Sequence, residues 1–344
     1  IEKKILGQID AEIIHSENLS SPEALQAVKQ ADALMVTLQK VTAEIIASME
    51  HCKIISRLGT GLDSIDIPAA TARGIWVTYV PDYSIDEVSA HAIALLMSLA
   101  RGIPFLSQST RNGIWNSAAW GPIYRLKEQT LGILGLGRIG QSTAEKGRGL
   151  GLNIIAFDPY ANQEVADKLG VRLVDLDTLT RESDYISLHS PLLDSTHHIV
   201  NADFLAKMKP TAYIINAARG PLIDEDALLE AVRSKQIAGA GLDVLAVEPI
   251  DPDSPLLKEE RILVTPHAAW YSEQSTEEVR VKGTQDVVRV LRAALVDGRL
   301  ARRTVAVAGP EAMALREVVR RVGREVGKRP PIVALPVAAQ RLLA

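Results

Sequence analysis

The sequence is poor in features that would each point to a particular class of protein. Its one cysteine, Cys52, excludes a disulfide scaffold and a zinc site built on cysteines. No apolar run reaches the ~18 residues that a membrane-spanning helix needs, and no apolar stretch of a signal peptide follows Ile1–Lys4. A net charge of −4 gives no overall basic surface, which argues against a dedicated nucleic-acid-binding protein. These absences predict a cytoplasmic protein in a reducing compartment, without metal, membrane or nucleic-acid partners.

The sequence does contain enough hydrophobic residues for two domains. Its 344 residues are 47% hydrophobic and 23% charged, as in an ordinary globular protein. The charge is unevenly distributed, because residues 292–344 carry +7 and the rest of the chain carries −11. This shift marks either a separate module or a segment of different origin. The simplest interpretation is a basic tail without a catalytic role, with an amphipathic helix over residues 311–326.

Strands and helices alternate along the rest of the chain, and the pattern is interrupted once. Pro81 ends the first series; a long helix is predicted over residues 82–101 and a loop over residues 102–125. The alternation predicts an α/β protein with two doubly wound parallel-sheet domains, one flavodoxin-like and one Rossmann, with a cleft between them and a hinge near Pro81. The predicted strands are residues 33–38, 53–57, 75–79, 131–134, 153–157, 184–188, 212–216, 239–243 and 262–265.

A glycine-rich segment follows the first strand of the second series. The pattern G-x-G-x-x-G is formed by Gly135, Gly137 and Gly140, with a helix predicted after it. The first glycine permits a tight turn, the second lets the backbone approach a pyrophosphate, and the third lets helix and strand pack closely. Asp158 ends the next strand at the spacing expected of a carboxylate that binds both ribose hydroxyls and repels a 2′-phosphate. The segment therefore predicts an NAD site, and the alternative is a turn without a ligand.

Three ionisable residues, Arg219, Glu248 and His267, follow later strands of the same series. The carboxyl ends of such strands face the ligand crevice, so all three are expected at one site. An enzyme that acts on an oxo acid needs a cation for its carboxylate or carbonyl, a proton donor, and a carboxylate that orients the donor and raises its pKa. The alternatives are that Arg219 forms a surface ion pair, that Glu248 is a solvated acid of a loop, and that His267 is a histidine of a loop. His197 and His198 lack a third metal ligand of fitting spacing and predict a surface segment.

Further motifs complete a family pattern. They are RLGTGLDSID at residues 57–66, DEV at 86–88, HSPL at 189–192, NAARG at 216–220, GLDV at 241–244 and PH at 266–267. With the glycine loop, they closely resemble the D-isomer-specific 2-hydroxyacid dehydrogenases over about residues 1–291. Residues 267–274 look most like the branch that contains the C-terminal binding proteins, which are transcriptional corepressors. After about residue 292 the sequence departs and resembles the C-terminal end of an atypical short-chain dehydrogenase or epimerase-like protein.

The resemblance implies a division of the chain and a role for each motif. Residues 1–81 and 271–291 would form a substrate-binding domain that lacks its first strand, and residues 82–270 an NAD-binding Rossmann domain. Arg219, Glu248 and His267 would be the catalytic residues. The implied substrate contacts are Arg57, Gly59, Thr60, Gly61, Arg219 and Trp270. The implied cofactor contacts are Thr60, Gly135, Gly137, Arg138, Ile139, Gly140, Asp158, Ser190, Pro191, Ala217 and Asp243.

The same resemblance implies an NAD-dependent enzyme that interconverts a D-2-hydroxy acid and its 2-oxo acid. Hydroxypyruvate, glyoxylate and phosphoglycerate are candidate substrates, whereas Glu248 disfavours formate because formate dehydrogenases of the superfamily carry glutamine there. The family's habit implies a homodimer joined through the NAD domains. Trp115, Trp120 and Tyr124 lie in one loop and support it, because aromatic residues favour interfaces. The alternative function is an NAD(H)-sensing, corepressor-like dimer with little turnover.

Overall fold

The computed structural model describes residues 1–295, with the exception of residues 10, 17 and 20. It divides into unit 1, which comprises Ile1–Lys4 and Asp82–Lys282, and unit 2, which comprises Ile5–Pro81 and the described residues from Gly283. We predicted a domain boundary at residue 271, but the division falls inside the last helix, which contributes its first part to one unit and its second part to the other. The helix predicted over residues 311–326 lies outside the described residues.

Unit 2 contains the smaller sheet. In the described residues that precede its first strand, the chain forms helices and a 3-10 turn but no strand. Helix α2 begins at the N-cap Ser21, whose Oγ accepts a hydrogen bond from the backbone N–H of Ala24. The three strands pair in parallel in the order β1-β2-β3. The elements are α1 (Glu2–Leu6), which begins in unit 1, and α2 (Pro22–Gln30), β1 (Ala33–Val36), α3 (Ala43–Ser48), β2 (Ile54–Arg57), α4 (Ile67–Ala72) and β3 (Trp76–Tyr79).

Unit 1 contains seven parallel strands with helices between them. The strands are β4 (Thr130–Leu134), β5 (Asn153–Phe157), β6 (Arg172–Leu173), β7 (Tyr185–Leu188), β8 (Tyr213–Asn216), β9 (Gly239–Leu242) and β10 (Ile262–Val264). The helices are α5 (Ile85–Arg101), α6 (Ile103–Arg111), α7 (Arg138–Gly149), α8 (Gln163–Leu169), α9 (Leu176–Glu182), α10 (Ala202–Ala206), α11 (Glu225–Arg233) and, reaching into unit 2, α12 (Glu273–Leu295). The predicted α/β class with parallel sheets is confirmed.

The strand order of unit 1 contains a switch point between β4 and β7. The order is β10-β9-β8-β7-β4-β5-β6, so the chain leaves β4 in one direction and returns to its other side at β7. Ligands of doubly wound sheets bind at the carboxyl ends of the strands beside such a switch point. Side chains on β8 alternate between two buried clusters, with Tyr213 and Ile215 on one face and Ile214 on the other. The strands are therefore covered on both faces, and the polar segments that follow them lie at the strand ends.

Two predictions near the long helix were wrong. The helix starts at Ile85 rather than residue 82, and residues 103–111 form α6 instead of a loop. Gly102 separates the two helices, because it adopts the left-handed conformation (φ 59°) and a Cβ there would lie 2.3 Å from the ring of Trp120. Trp120 is only 4% exposed and donates its indole N–H to the carbonyl of Leu99. This tryptophan therefore belongs to the core and not to an exposed interface loop.

The described helices differ from membrane-spanning segments in length and composition, with one pair as an exception. Within the part of the chain that the structure describes, no single helix is long and apolar enough to cross a bilayer, although α5 and α6, bent by 56° at their junction, satisfy the length and composition criteria as a pair.

Candidate active site

The glycine loop connects β4 to α7, and two of its glycines have a steric explanation. Gly135 has a φ of 97°, and a Cβ there would lie 2.7 Å from the backbone nitrogen of Ser190. A Cβ on Gly140 would lie 2.1 Å from the carbonyl oxygen of Gly135. Neither position accommodates a side chain while the loop keeps this path. These two glycines therefore determine how closely α7 approaches the sheet.

Gly137 has no such explanation within the protein. Its backbone is extended (φ −72°, ψ −168°), and a Cβ there would meet no atom within 4 Å. Gly137 is the N-cap of α7, which continues with Arg138 and Ile139, and the first backbone N–H groups of a helix have no partners within the helix. Helix N-termini of this kind bind phosphate groups. The open space above Gly137 therefore fits the close approach of a pyrophosphate, as the NAD prediction requires.

Asp158 ties the end of β5 to the glycine loop. Its Oδ2 accepts a hydrogen bond from the backbone N–H of Leu136 at 2.8 Å, and its Oδ1 accepts one from the backbone N–H of Tyr160 at 2.8 Å. Each carboxylate oxygen can accept a further hydrogen bond, and the residue is half-buried. The carboxylate thus has acceptor capacity for ribose hydroxyls while it holds the loop that would carry the phosphates.

His267 and Glu248 form a hydrogen-bonded pair in the segments after β10 and β9. His267 Nδ1 lies 2.7 Å from Glu248 Oε2, and Glu248 Oε1 accepts a hydrogen bond from the backbone N–H of Leu245 at 2.8 Å. Burial alone would raise the pKa of Glu248, but the hydrogen bonds from His267 and Leu245 outweigh it, so this pKa lies below its ordinary value. The glutamate is therefore ionised at neutral pH and holds the ring by Nδ1, which leaves Nε2 as the nitrogen for proton exchange.

Asp243 supports the turn that carries His267. Its side chain, which we predicted to lie on the nicotinamide side of the cofactor site, is only 1% exposed. Its Oδ1 accepts from the backbone N–H of Ala268 at 2.9 Å and its Oδ2 from that of Ala269 at 2.9 Å. Burial would raise the pKa of this carboxyl group, but hydrogen bonds, including one from Thr265, lower it below its ordinary value. In the structure, Asp243 is an ionised acceptor for the backbone around the histidine.

Three residues that the sequence did not predict also contact these segments. His91 Nε2 lies 3.0 Å from Thr265 Oγ1, which donates to Asp243 Oδ1 at 2.6 Å. Glu225, the first residue of α11, accepts a hydrogen bond from the backbone N–H of Ala246 at 2.6 Å. The only available signal was their position on elements next to the predicted strand ends. Nothing in their local sequence marks contacts with residues so distant in the chain.

Arg219 follows β8, whose neighbours in the sheet are β7 and β9. The side chain of Asn216 shapes this segment, because its amide donates to the carbonyl of Arg219 at 2.9 Å and its oxygen accepts from Ala218 N–H at 3.0 Å. A Cβ on Gly220 would lie 1.9 Å from the carbonyl carbon of Leu245. The segment after β8 therefore packs directly against the segment that leads to Glu248. Because β8, β9 and β10 are adjacent in the sheet, the predicted trio follows three neighbouring strand ends.

The predicted substrate loop of unit 2 follows β2. Thr60 Oγ1 donates to the carbonyl of Val80 at 3.2 Å, and Gly59 O accepts from Val80 N–H at 3.1 Å, so the loop containing Gly61 is attached to the segment after β3. Arg57 is only 7% exposed. Its Nη1 donates to the carbonyl of Leu58 at 2.6 Å, and a Cβ on Gly59 would lie 2.4 Å from the same nitrogen. The guanidinium group is thus folded over its own loop.

The remaining predicted contacts lie on other segments of unit 1. Ser190 adjoins Gly135, and its Oγ donates to the carbonyl of Leu134 at 3.2 Å. Pro191 is exposed and Ala217 is half-buried. The half-buried ring of Trp270 lies 6.4 Å from the ring of Tyr83 and meets Tyr271 edge-on at 5.7 Å, between centroids. The roles of these residues in binding a ligand remain predictions.

Comparisons with known proteins identify relatives of the chain. It is 41% identical over 308 residues to the D-3-phosphoglycerate dehydrogenase of Synechocystis sp., covering 89% of this chain and 54% of the relative. The chain thus spans about half the length of the phosphoglycerate dehydrogenases that it matches. It is 36% identical over 291 residues to the glyoxylate reductase of Korarchaeum cryptofilum, covering 83% of this chain and 87% of the relative.

A solved structure agrees in fold over most of the chain. It is a D-lactate dehydrogenase from Aquifex aeolicus in complex with NAD and lactic acid, which is 29% identical, with a TM-score of 0.76 over 87% of this chain and 92% of that one. Residues 93–269 match the family described as D-isomer specific 2-hydroxyacid dehydrogenase, NAD binding domain. The chain therefore belongs to the D-isomer specific 2-hydroxyacid dehydrogenase family, and unit 1 contains its NAD-binding domain.

Proposed function

We propose that the protein is an NAD-dependent enzyme that interconverts a D-2-hydroxy acid and the corresponding 2-oxo acid. The observation that carries the proposal is the His267–Glu248 pair, with 2.7 Å between Nδ1 and Oε2, in the sheet that also carries the glycine loop and Arg219. An ionised carboxylate hydrogen-bonded to one ring nitrogen fixes the tautomer and the orientation of the ring. The other ring nitrogen then gives a proton to a carbonyl oxygen or takes one from a hydroxyl group.

The roles of the chain's own residues follow from this chemistry. In the direction of reduction, His267 Nε2 donates its proton to the carbonyl oxygen on C2, which becomes a hydroxyl group. Glu248 balances the charge of the protonated ring. Arg219 binds the carboxylate of the substrate, because a guanidinium group matches a carboxylate with two parallel hydrogen bonds. NAD, when bound, supplies the two-electron redox chemistry at C2. The glycine loop and Asp158 would hold that cofactor by its pyrophosphate and ribose groups, and the carboxylate would repel a 2′-phosphate.

The substrate class that we propose is a small 2-oxo acid of the glyoxylate, hydroxypyruvate or phosphoglycerate type. The named relatives act on acids that share a carboxylate next to C2 and differ beyond it. In this proposal Arg219 and Trp270 of unit 1 contact the substrate, Arg219 through the substrate's carboxylate. The backbone of Gly59–Gly61 in unit 2, with Arg57 beside it, is a further carboxylate-binding loop. The chemical groups beyond C2 of the substrate then determine which acid turns over fastest.

We also propose that the enzyme is a cytoplasmic homodimer joined through the NAD-binding unit. Three large apolar side chains around α6 support this, since Ile103 is 55%, Ile114 53% and Trp115 91% exposed. Exposed aromatic and aliphatic groups in one region are typical of interfaces. Light scattering after size exclusion would give a dimer for the wild type and a monomer for Trp115→Asp. A monomeric wild type would contradict the proposal.

The activity is tested by following NADH oxidation with glyoxylate, hydroxypyruvate, pyruvate and 3-phosphohydroxypyruvate, beside a His267→Ala variant. General acid catalysis contributes about 10²- to 10⁴-fold, so kcat should fall by that amount in the variant while NADH binding is retained. NADH binding without turnover of any 2-oxo acid in the wild type would contradict the dehydrogenase and favour the NAD(H)-sensing, corepressor-like alternative.

A further inference from the structure

His91 lies on α5 and faces the segment that carries His267, without belonging to the predicted trio. Its side chain is 24% exposed. Its Nε2 is 3.0 Å from Thr265 Oγ1 and 3.4 Å from Asp243 Oδ1. These three residues come from α5, from the end of β10 and from the end of β9. A single imidazole edge therefore meets two of the segments that follow the strands of the candidate site.

The hydrogen-bond distances determine which atom donates. Thr265 Oγ1 lies 2.6 Å from Asp243 Oδ1, and an ionised carboxylate can only accept, so the one hydroxyl proton is directed to Asp243. Toward His91 the hydroxyl oxygen can then only accept. His91 must therefore carry a proton on Nε2 and donate it. The chain of donors runs from His91 to Thr265 and from Thr265 to Asp243.

Asp243 connects these hydrogen bonds to the backbone around His267. Its carbonyl oxygen accepts from His267 N–H at 2.8 Å, and its carboxylate accepts from the next two N–H groups, those of Ala268 and Ala269, at 2.9 Å each. Three consecutive N–H groups are thus held by one residue. His267 needs such support, because its φ of 52° lies in the left-handed region that non-glycine residues rarely adopt.

We propose that His91 is a positioning residue: through Thr265 and Asp243 it holds the backbone turn that aims His267 at the substrate. This inference rests on the proposed function. His91 does not have to touch substrate or cofactor, since it acts on the carboxylate that anchors the turn. Without it, Thr265 and Asp243 lose the donor that orients them, and the turn samples positions in which Nε2 of His267 is misaligned.

The first experiment compares His91→Leu with His91→Gln. Misplacing a catalytic group by ~1 Å can cost on the order of 100-fold in rate, so we expect kcat of His91→Leu to fall by about 10- to 100-fold. The KM for the 2-oxo acid and the Kd for NADH should stay unchanged, because Arg219 and the glycine loop are untouched. Glutamine can present an amide N–H near the position of Nε2, so His91→Gln should recover most of kcat. Equal kcat in the wild type and His91→Leu would overturn the proposal, as would a fall that glutamine does not rescue.

Ser89→Ala is a matched control on the same helix. Ser89 is buried and its Oγ contacts Lys146 Nζ at 2.9 Å and Ser142 Oγ at 2.9 Å, which joins α5 to α7 on another side. We expect this variant to lower the melting temperature without a change in kcat. If Ser89→Ala reduces kcat as much as His91→Leu does, general loosening of α5 explains both and the positioning role is wrong.

A double-mutant cycle tests the route. Thr265→Val keeps the shape of the side chain and removes the hydroxyl group. If His91 acts through Thr265, the double variant His91→Leu/Thr265→Val should lose no more kcat than the more impaired single variant, because residues in one network are not additive. Fully multiplicative losses would overturn the route through Thr265.

A spectroscopic measurement separates this proposal from the proposed function. The proton between His267 Nδ1 and Glu248 should give a downfield imidazole resonance in the NMR spectrum, assigned by its absence in His267→Ala. We expect that resonance to shift and broaden in His91→Leu, but not in Ser89→Ala. If the wild type fails to turn over any acid, the proposed function is wrong, yet this shift still supports the contact route. An unchanged resonance in His91→Leu overturns the positioning role whatever the activity.

Discussion

The glycine loop and the segments that carry Glu248 and His267 are built in contrasting ways, although both follow strands of one sheet. The loop depends on missing side chains, as the distance of 2.1 Å between a Cβ on Gly140 and Gly135 O demonstrates. The acid–base segments depend on added side chains, since Asp243 and Glu248 accept hydrogen bonds from the backbone around them. A side chain added at a sterically excluded glycine disrupts the whole loop, whereas removing one hydrogen-bond partner weakens the acid–base segments by one bond only.

The two regions also differ in how far along the chain their contacts reach. Gly135 and Gly140 lie close together and belong to one motif, whereas the hydrogen-bonded residues His91 and Thr265 are 174 positions apart in the sequence. A loop made by adjacent residues can be recognised from its motif. Acid–base segments assembled from distant residues need the whole sheet to be formed first. Four substitutions probe this difference, and we expect their effects to decrease from Gly140→Ala to Glu248→Gln.

Gly140→Ala should have the largest effect, because the new methyl group would meet backbone rather than a flexible side chain. Overpacking typically costs about 1–3 kcal/mol, and we expect a value at the upper end or beyond it. The melting temperature of the NAD-binding unit should fall and NADH binding should be lost. Calorimetry and NADH fluorescence titration measure the two effects. A variant as stable as the wild type would show that the loop is not sterically determined.

Asp243→Asn tests the hydrogen-bonded region in the same unit. The amide keeps one acceptor but turns an N–H group toward a backbone N–H of Ala268 or Ala269, so one buried donor loses its partner. An unsatisfied buried group costs about 1–3 kcal/mol. We expect a smaller loss of melting temperature than in Gly140→Ala, together with a lower kcat and a loss of NADH affinity that is smaller than the loss of kcat. A loss of NADH affinity equal to the loss of kcat would contradict the separation of the two regions.

Gly137→Ala distinguishes a glycine kept for a ligand from one kept for the fold. Nothing lies within 4 Å of the added Cβ, so the melting temperature without cofactor should equal that of the wild type. If a pyrophosphate passes above this position, the affinity for NADH should fall by about tenfold, which corresponds to about 1.4 kcal/mol. Titration of the variant beside the wild type measures it. Wild-type affinity in the variant would exclude that path for the phosphates.

The sequence predicted local features better than long-range ones. Strand β5 was predicted with its observed bounds, and the G-x-G-x-x-G spacing located the turn before α7, because both depend on neighbouring residues. The burial of Trp120 was missed, since only the fold brings its ring against Gly102. The pattern GLDV marked Asp243, but it does not reveal which backbone N–H groups donate to its carboxylate.

The smallest expected effect concerns the pH dependence of stability in Glu248→Gln. Burial opposes the ionisation of Glu248, but its hydrogen bonds from His267 and Leu245 lower the pKa below the ordinary value of 4.5 in the folded state. Between the two pKa values the unfolded chain binds more protons, so stability rises with pH. The stabilisation by Glu248 is therefore complete above about pH 4.5 and lost as the pH falls through the folded pKa. The difference in melting temperature between the wild type and Glu248→Gln should shrink accordingly below that pH.

A carboxylate in unit 2 provides the control of opposite sign for this titration. Burial raises the pKa of Asp286 above its ordinary value of 3.8, with Arg289 opposing the shift only partly. In this case the folded chain binds more protons, so the wild type loses stability relative to Asp286→Asn as the pH rises through that range. As the pH rises over the same series, the melting temperature of the wild type should therefore increase relative to that of Glu248→Gln and decrease relative to that of Asp286→Asn. If the Glu248→Gln difference is independent of pH, the glutamate is not held as an ionised partner of His267, and the contrast between the two regions of unit 1 loses its electrostatic basis.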